Sequence, residues 1–571
     1  MAKVKPDRAR ISKIITKFAG LGSDDTYLDD GADSMMNFRI TDMGTLEKRE
    51  GLRRITYFSG ALRGMWEGSV NNVPYTFCVI GNTVYQADGD ELYLTNLYTL
   101  GTSEGPAEFY EMDGYVYLLD GKSISVFDPE YFMFMEVVPY APLIGENWHP
   151  TSMGASGELP NLLTPNMRVH YRNTDGATVF YLPYYAESID CVLVDTVKTA
   201  DFTFRANTNY VTVPSAAEAS EIAIAFSAPF DEERRLNMLA AQRALVIQTG
   251  GIHRMLLYRT DDAYKLYLSS GVTNEMKSYC NLFYPNTAPL YFTAQNVLFI
   301  GDSQNPVTAL CPYYGTALIF TKTCTRLLRL DDSGADADVI HPQIGCTPID
   351  GAICCEDAVI TVSRDGVFRL TSRASAPEDV TVERVSDRVH SRLRGYIGED
   401  SIVFWNPQHR ELWICTPQDE SGLLWVWNAP QNAWYHFDGL PATKFRVSPT
   451  LGICCINSNV LYVFDELHFD DDGNSYSTYY MSKYIDLGNP DSIRHALHWA
   501  ITARTTGSTN LIIYTTRGAT QNPITQKTYN GMPEYYEGRI HANRHRFLRF
   551  YFSTQGSTAA ALYRVAFFTK P

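Results

Sequence analysis

The chain has 571 residues, of which 45% are hydrophobic and 20% are charged, and this balance excludes intrinsic disorder or a coiled coil as its main state. Its formal net charge of −16 argues against non-specific electrostatic binding to DNA or to an anionic membrane. The 37 tyrosines, 39 glycines and 28 prolines favour many short strands separated by turns.

The chain begins with a basic arm. Six of the first 17 residues are Lys or Arg and one is acidic, so we expect residues 1–45 to form an arm that is solvated or docks on an acidic partner surface. The arm lacks the continuous apolar core of a secretory signal. No stretch of the chain approaches the ~18 apolar residues that a membrane span needs, and we therefore expect neither a signal peptide nor a span.

From residue 61 onward, one pattern repeats: an apolar strand, a short turn and a second strand. The fullest example is 401–439, where turns rich in Pro, Asn and Gly separate four strands. Four strands in about 40 residues are typical of one β-propeller blade. A further incomplete unit is expected in 250–300. The predicted complete units lie near 61–97, 107–137, 307–341, 352–385, 402–437 and 443–464.

The last of these units lacks a fourth strand. The run 46–57 is strand-like, but no strand next to it in the sequence could pair with it. Propellers often pair their first strand into their last blade, which removes an open edge. We therefore predict that 46–57 pairs with the last unit.

Two segments break the repeat. Residues 140–245 contain short alternating strands with Asn- and Gly-containing turns, which predict a small inserted β-sandwich. Residues 231–248 begin with acids and continue with helix-forming residues, which predicts a helix. After the acidic turn at 470–474, five strand-like runs predict a C-terminal β-sandwich.

The predicted fold class is thus all-β: a β-propeller platform with an inserted small β-sandwich and a C-terminal β-sandwich. The predicted parts are an N-terminal arm (1–45), the first part of the propeller (46–139), the inserted β domain with its helix (140–248), the second part of the propeller (249–470) and the C-terminal sandwich (471–571).

The eleven cysteines are odd in number, form no C-x-x-C motif and mostly fall in apolar runs. This pattern indicates small buried hydrophobic residues in a protein made in a reducing compartment, rather than a disulfide framework.

Motifs that would support catalysis are missing or incomplete. The sequence has no phosphate-binding G-x-x-x-x-G-K-[ST] and no G-x-S-x-G. His495 with His498, and His541 with His545, border β segments and lack an H-E-x-x-H pattern. Asp470–Asp472 lacks the alternation of a calcium loop, so we expect a solvated acidic turn.

One further run, 363–368, partly matches the turn of glycosidase propellers but does not recur. We therefore predict no catalytic, cofactor-binding or metal-binding residues, no cofactor, and a protein that is not an enzyme.

One blade is rich in aromatic residues that could stack on bases or sugars. Their alternation along the strands instead favours packing between blade faces. They are Trp405, Trp413, Trp425, Trp427, Trp434 and Tyr435.

Two segments show a resemblance to a known family. Residues 18–22, 35–40 and 46–51, ending with Arg49 and Gly51, resemble the opening of the tail nozzle (tail tubular B-type) and related tail-hub proteins of short-tailed bacteriophages. Residues 161–181, which begin Asn-Leu-Leu-Thr-Pro, resemble a small domain inserted in such proteins. The order of predicted domains is also similar over most of the chain.

The resemblance implies a structural protein of the virion tail, made in the host cytoplasm. It would form a homo-oligomer, a six-fold ring beneath the head-to-tail adaptor or portal-proximal ring, in contact with tail fibres or receptor-binding proteins. Double-stranded DNA would be retained in its channel and pass at ejection without sequence-specific binding. The basic arm and 539–549 would serve subunit contacts or be ordinary solvated charge.

Two alternatives remain open. One is a receptor- or glycan-binding tail adhesin that uses the C-terminal sandwich, and the other is a propeller glycoside hydrolase.

Overall fold

The computed structural model describes residues 10–24, 26, 29–89, 92–152, 154, 157–218, 221–331, 334–356, 358–416, 422–487, 496–505, 508–515, 518–524, 533–540 and 547–569. The protein is all-β, with 58% strand and 5% helix. It divides into two units. The first comprises Met1–Ala61 and Ile344–Pro571, and the second comprises Leu62–Gln343.

Five strands precede the second unit, and all of them pair within the first unit. They are β1 (Arg10–Ile15), β2 (Ala32–Met36), β3 (Phe38–Ile40), β4 (Leu46–Lys48) and β5 (Gly51–Tyr57).

The second unit begins with two four-stranded antiparallel sheets, each a meander in chain order. Their turns place residues in the left-handed region, as at Asn71 and Asn72 (φ 51° and 63°), where Asn is tolerated better than most residues. The strands are β6 (Leu62–Val70), β7 (Val73–Ile80), β8 (Thr83–Asp88), β9 (Tyr93–Thr99), β10 (Glu108–Met112), β11 (Tyr115–Leu119), β12 (Ile124–Asp128) and β13 (Met133–Glu136).

The next region departs from the repeat, as predicted. It holds a five-stranded sheet in the order β15-β16-β21-β18-β19 and a two-stranded sheet of β17 and β20, and both contribute to one apolar core. Its elements are β14 (Val138–Pro139), β15 (Leu143–Trp148), β16 (Asn166–Arg172), β17 (Val179–Ala186), β18 (Ser188–Val194), β19 (Val197–Thr199), β20 (Thr208–Thr212), a 3₁₀ helix (Pro214–Glu218), β21 (Glu221–Ser227) and α1 (Glu232–Leu239).

The helix predicted over 231–248 is wrong in its second half. The Asp231 side chain caps α1, but the helix ends at Leu239 and β22 (Arg243–Thr249) follows. Pairing of Arg243–Thr249 with the next strand outweighs the helical propensity of the Ala and Leu residues there.

Two further four-stranded sheets complete the second unit. The incomplete unit expected in 250–300 is a full sheet whose last two strands are separated by a helix. The elements are β23 (Ile252–Tyr258), β24 (Lys265–Ser269), α2 (Asn274–Asn281), β25 (Thr287–Ala288), β26 (Phe292–Phe299), β27 (Val307–Tyr313), β28 (Thr316–Thr321), β29 (Thr325–Asp331) and β30 (Gly334–His341).

Within this unit, the sheets pack face to face in chain order. The first strands of consecutive sheets, β6, β10, β22 and β27, lie beside one another. Phe77 of one sheet packs on Phe109 and Phe127 of the next, with ring centroids 6.2 and 4.7 Å apart. One apolar cluster joins the second sheet to the third, and another joins the third sheet to the fourth.

The first unit resumes with a four-stranded sheet, four strands that form one end of a ten-stranded sheet, and three strands of another four-stranded sheet. Their first strands again lie beside one another. The elements are β31 (Ala352–Cys355), β32 (Ala358–Ser363), β33 (Gly366–Arg373), β34 (Ala376–Arg384), α3 (His390–Leu393), β35 (Ile402–Asn406), β36 (Glu411–Cys415), β37 (Leu424–Asn428), β38 (Ala433–Phe437), β39 (Lys444–Ser448), β40 (Gly452–Asn457) and β41 (Val460–Asp465).

The predicted pairing of the N-terminal run with the last unit is confirmed. β5 is the fourth strand of the sheet β39-β40-β41, antiparallel to β41, with Gly51 opposite Asp465 and Tyr57 opposite Val460. The run 46–57 is divided, however, because β4 turns away and joins a different sheet.

The C-terminal strands form two antiparallel groups that share buried apolar residues. One is β3-β4-β49-β44-β47, with β1 also on β49. The other is β2-β42-β48-β45-β46, with β43 on β48, and β2 links it to β38. The strands are β42 (Ser477–Ser482), β43 (Ile485–Asp486), β44 (Ala496–Arg504), β45 (Ser508–Thr515), β46 (Gly518–Ile524), β47 (Glu534–Arg539), β48 (Phe547–Gln555) and β49 (Ala561–Thr569).

The start and the end of the chain therefore share sheets, although the predicted boundaries separate 1–45 from 471–571. Part of the basic arm lies in the strand β1, where Lys13 is 3.8 Å from Asp30, and residues 1–9 fall outside the described residues. Nine of the eleven cysteines are buried, as expected for small core residues. No helix in the described part of the chain is long and apolar enough to cross a membrane.

Candidate functional site

A buried group of charged side chains joins the N-terminal strands to the rest of the first unit. We call it the N-terminal charge cluster, and it consists of Arg39, Lys48, Arg49, Glu50, Glu411 and Asp471. Strand β3 supplies Arg39, and the two residues that follow β4 are Arg49 and Glu50. Their partners come from β36 and from the acidic turn after β41.

Arg39 lies between two carboxylates. Its Nε and Nη2 donate to Glu411 at 2.5 and 3.2 Å, and its Nη1 donates to both oxygens of Glu50 at 2.6 Å. Glu411 is fully buried and also accepts hydrogen bonds from Tyr435 Oη (2.6 Å) and Trp413 Nε1 (2.9 Å). Because each charge has hydrogen-bonded partners, the burial penalty is offset.

Arg49 uses every donor of its guanidinium. It donates to Asp471 (3.0 and 2.5 Å), to the Asn37 side chain (3.0 Å) and to the carbonyls of Glu50 and Asp438 (2.8 and 3.0 Å). Its Cζ also lies 3.9 Å from the centroid of the Tyr476 ring. Such full satisfaction of five donors fixes the position of the surrounding backbone.

The electrostatics follow from this packing. Burial alone would raise the pKa of Glu50, but Arg39 and His409 lower it well below its ordinary value. Burial would likewise lower the pKa of Arg39, but Glu411 and Glu50 raise it well above its ordinary value. Lys48, which is desolvated and lies near Arg49, has a pKa lowered to about 8.

Residues of the segments that carry the family resemblance lie in the cluster or beside it. Asn37 has φ 56° and bonds to Asp438, Ser477 and Arg49. A Cβ on Gly51 would lie 1.9 Å from the carbonyl oxygen of Asp470, so this close approach of backbones requires glycine. The matched pattern thus marks the packing of the N-terminal strands in this chain.

The prediction of a solvated acidic turn at Asp470–Asp472 is wrong for Asp471, which pairs with fully buried Arg49. Asp472 is exposed, as predicted, and lies 3.1 Å from Arg54. The pairing was not visible in the sequence, since more than 400 residues separate Asp471 from Arg49.

The aromatic residues of the strands in 402–437 are packed in the core, as predicted. Trp405 is half-buried, and the others are between 0 and 3% exposed. The run 363–368 is the turn of the β32–β33 hairpin. His498 lies on β44, whereas His495, His541 and His545 lie outside the described residues.

The second unit contains a cavity of about 490 Å³ between its five-stranded sheet and α2. We call it the Arg168 cavity. Alternate residues of β16 face opposite sides of the sheet: Met167, Val169 and Tyr171 enter the apolar core, whereas Arg168 and His170 line the cavity.

Arg168 is only 1% exposed and is held by its surroundings. Its Nε donates to the Ala141 carbonyl (2.8 Å) and its Nη2 donates to Tyr140 Oη (2.9 Å). Tyr140 in turn donates to Glu158, at 3.0 and 2.9 Å from the two oxygens. The guanidinium carbon lies 5.3 Å from the centroid of the Tyr279 ring. The Nη1 atom is buried and has no hydrogen-bond partner among the described residues.

Carboxylates dominate the rest of the cavity. Glu158 is half-buried, and Glu146, Glu221 and Glu275 are exposed at its rim. His170 Nε2 lies 3.9 Å from Glu221. The cavity therefore combines one buried donor with an excess of acceptors. Sequence analysis missed it because its walls come from separate parts of 140–279.

Neither site has the composition of a metal centre. Among the described residues, no group of three or more His, Cys, Asp or Glu side chains is placed to hold a metal ion. No protein-family model matches the chain, and no curated protein matches it significantly.

Proposed function

We propose that the protein is a structural component of a short-tailed bacteriophage tail, a nozzle or tail hub that forms a ring around the DNA channel. In this proposal the six four-stranded sheets, together with the four-stranded segment β35–β38, are the seven blades of a propeller platform. The inserted region and the paired C-terminal groups are β-sandwiches that extend from it. The ring retains the genome and lets it pass at ejection.

The observation that carries the proposal is the way the chain start is built into the repeated scaffold. β5 completes the last four-stranded sheet, and the N-terminal charge cluster fixes the residues beside it with buried ion pairs. A sheet completed in this way has no open edge at that position. This arrangement suits a protein that acts by shape and self-association.

The distribution of charge also supports passage of DNA. Residues 62–136 contain 12 acidic and 2 basic residues. Six of the ten acids that the structure describes on this segment are exposed, among them Asp88, Glu104, Glu111, Glu130 and Glu136. Phosphate contacts by Lys and Arg supply non-specific DNA affinity, and an acidic surface lowers that affinity. Such a surface could face a DNA channel or meet a basic part of a neighbouring subunit.

The proposal is tested on the full chain by size-exclusion chromatography with light scattering and by negative-stain microscopy. We expect closed rings with a central hole, because a head-to-tail interface that closes generates a ring. In a gel-shift assay at physiological salt, we expect no retention of a DNA duplex. A protein that stays monomeric at high concentration contradicts the proposal.

A tail adhesin remains the second proposal, because the Arg168 cavity offers a place for a small ligand. The two proposals predict different measurements. An adhesin should bind a receptor molecule as an isolated subunit, whereas a nozzle should form a ring. Turnover of a polysaccharide by the purified protein would support the third alternative, a propeller glycoside hydrolase.

A further inference from the structure

We propose that the Arg168 cavity binds a sugar unit that carries no negative charge, either neutral or amino-substituted. The inference depends on the cavity and not on ring formation. It also places sugar contact in the 140–279 region rather than in the C-terminal sheets.

The donor side of the cavity is partly occupied. The Nε of Arg168 donates to the Ala141 carbonyl, and one of the two N–H groups of Nη2 donates to Tyr140 Oη. The edge formed by Nε and Nη2 therefore cannot supply the parallel pair of hydrogen bonds that favours carboxylates and phosphates. Nη1, which has no partner among the described residues, remains for a neutral oxygen such as a hydroxyl or ring oxygen.

The acceptor side points to a ligand rich in O–H or N–H groups. Four glutamates line the cavity and supply only acceptors when ionised. One of them, Glu158, is already engaged by Tyr140 and by the Leu143 amide. The three exposed glutamates are therefore available to hydroxyl or ammonium donors. They also repel anionic ligands, because a single buried guanidinium does not balance four carboxylates.

The volume of the cavity and the residues of its walls fit the same class of ligand, a sugar without negative charge. A volume of about 490 Å³ lies in the range of small-ligand sites and accommodates a sugar ring. The walls include the buried Leu193 and Ala223 and the half-buried Tyr279. Apolar and aromatic walls with a few directed polar groups are typical of such sites.

The test uses the full chain and five sugars: glucose, galactose, N-acetylglucosamine, glucosamine and, as the anionic control, glucuronate. Saturation-transfer NMR detects binding and calorimetry measures Kd. We expect at least one of the first four sugars to bind with a millimolar Kd. Glucuronate should bind about tenfold or more weakly than glucosamine. Glu275→Gln should weaken glucosamine binding about two- to fivefold, since it removes one rim charge.

Two further variants separate the cavity from the rest of the molecule. Leu193→Trp fills the cavity and should abolish binding, with its thermal melt showing that the protein is folded. Glu233→Gln changes an exposed acid of α1 that does not line the cavity and should leave every Kd unchanged. The proposal is overturned if none of the first four sugars binds, if glucuronate binds as tightly as glucosamine, or if folded Leu193→Trp retains binding. None of these results alters the ring assay.

Discussion

Glu411→Gln tests whether the N-terminal charge cluster stabilises the first unit. The substitution keeps the size of the side chain but removes the charge that pairs with Arg39 at 2.5 Å, in a site where the Glu411 side chain is 0% exposed. Breaking a buried ion pair by neutralising one partner costs about 3–5 kcal/mol. Glu50 remains as a second partner of Arg39, so we expect the lower end, about 3 kcal/mol, and a Tm lower by about 5–10 °C.

The matched control is Glu356→Gln. Glu356 also contacts an arginine, Arg410, at 2.5 Å, but both side chains are about half exposed, and exposed pairs contribute about 0.2–1 kcal/mol. Thermal melts and hydrogen exchange should show a larger loss for Glu411→Gln, with faster exchange in residues 38–57. If the two variants differ by less than about 0.5 kcal/mol, the cluster does not hold the N-terminal strands as we infer.

Four further predictions concern the first unit. The pKa of Glu50 lies below its ordinary value of 4.5, so the protein should lose stability as the pH falls below 4.5. Glu50→Gln should flatten this part of a profile of Tm against pH. Burial, and to a smaller extent the charge of Arg392, lowers the pKa of His436 from 6.5 to about 4. The free energy of unfolding should therefore already decline as the pH falls from 6.5 to 4, and His436→Gln should remove that decline. Arg49→Lys cannot replace five donors and should destabilise the unit by about 3 kcal/mol in urea titrations, whereas Arg53→Lys, at an exposed ion pair, should change it little. Deleting residues 1–57 leaves the β41 edge unpaired and should cause aggregation detectable by light scattering, and a monodisperse product would contradict this.

The sequence was informative where short apolar runs and turn residues agree. In 402–437, short apolar runs are separated by turns that contain Pro, Asn and Gly, and the predicted sheet forms there. Every residue of β36 and β37 is buried. Where local preference and tertiary pairing disagree, prediction failed, as in the strand β22 that replaces the end of the predicted helix. The strands β46 and β47 were also missed.

Both sites depend on contacts that a single sequence does not reveal. Arg39 and Glu411 are 372 residues apart, and neither has a local motif that identifies its partner. The Arg168 cavity likewise depends on a fold that brings β16 to α2. The pattern at Asn37, Arg49 and Gly51 pointed to the right segment, but the reason for it is visible only in the contacts of these residues.

The division of the first unit across the chain has a consequence for synthesis. Residues 62–343 form one continuous segment and are complete before the remainder leaves the ribosome. The N-terminal strands must wait for β41, β42 and β49, which are made last. Until then, the nascent chain carries unpaired strand edges, and such long-range pairing is slow and exposed to misassembly. Translation therefore has to finish before the first-made strands reach their final partners.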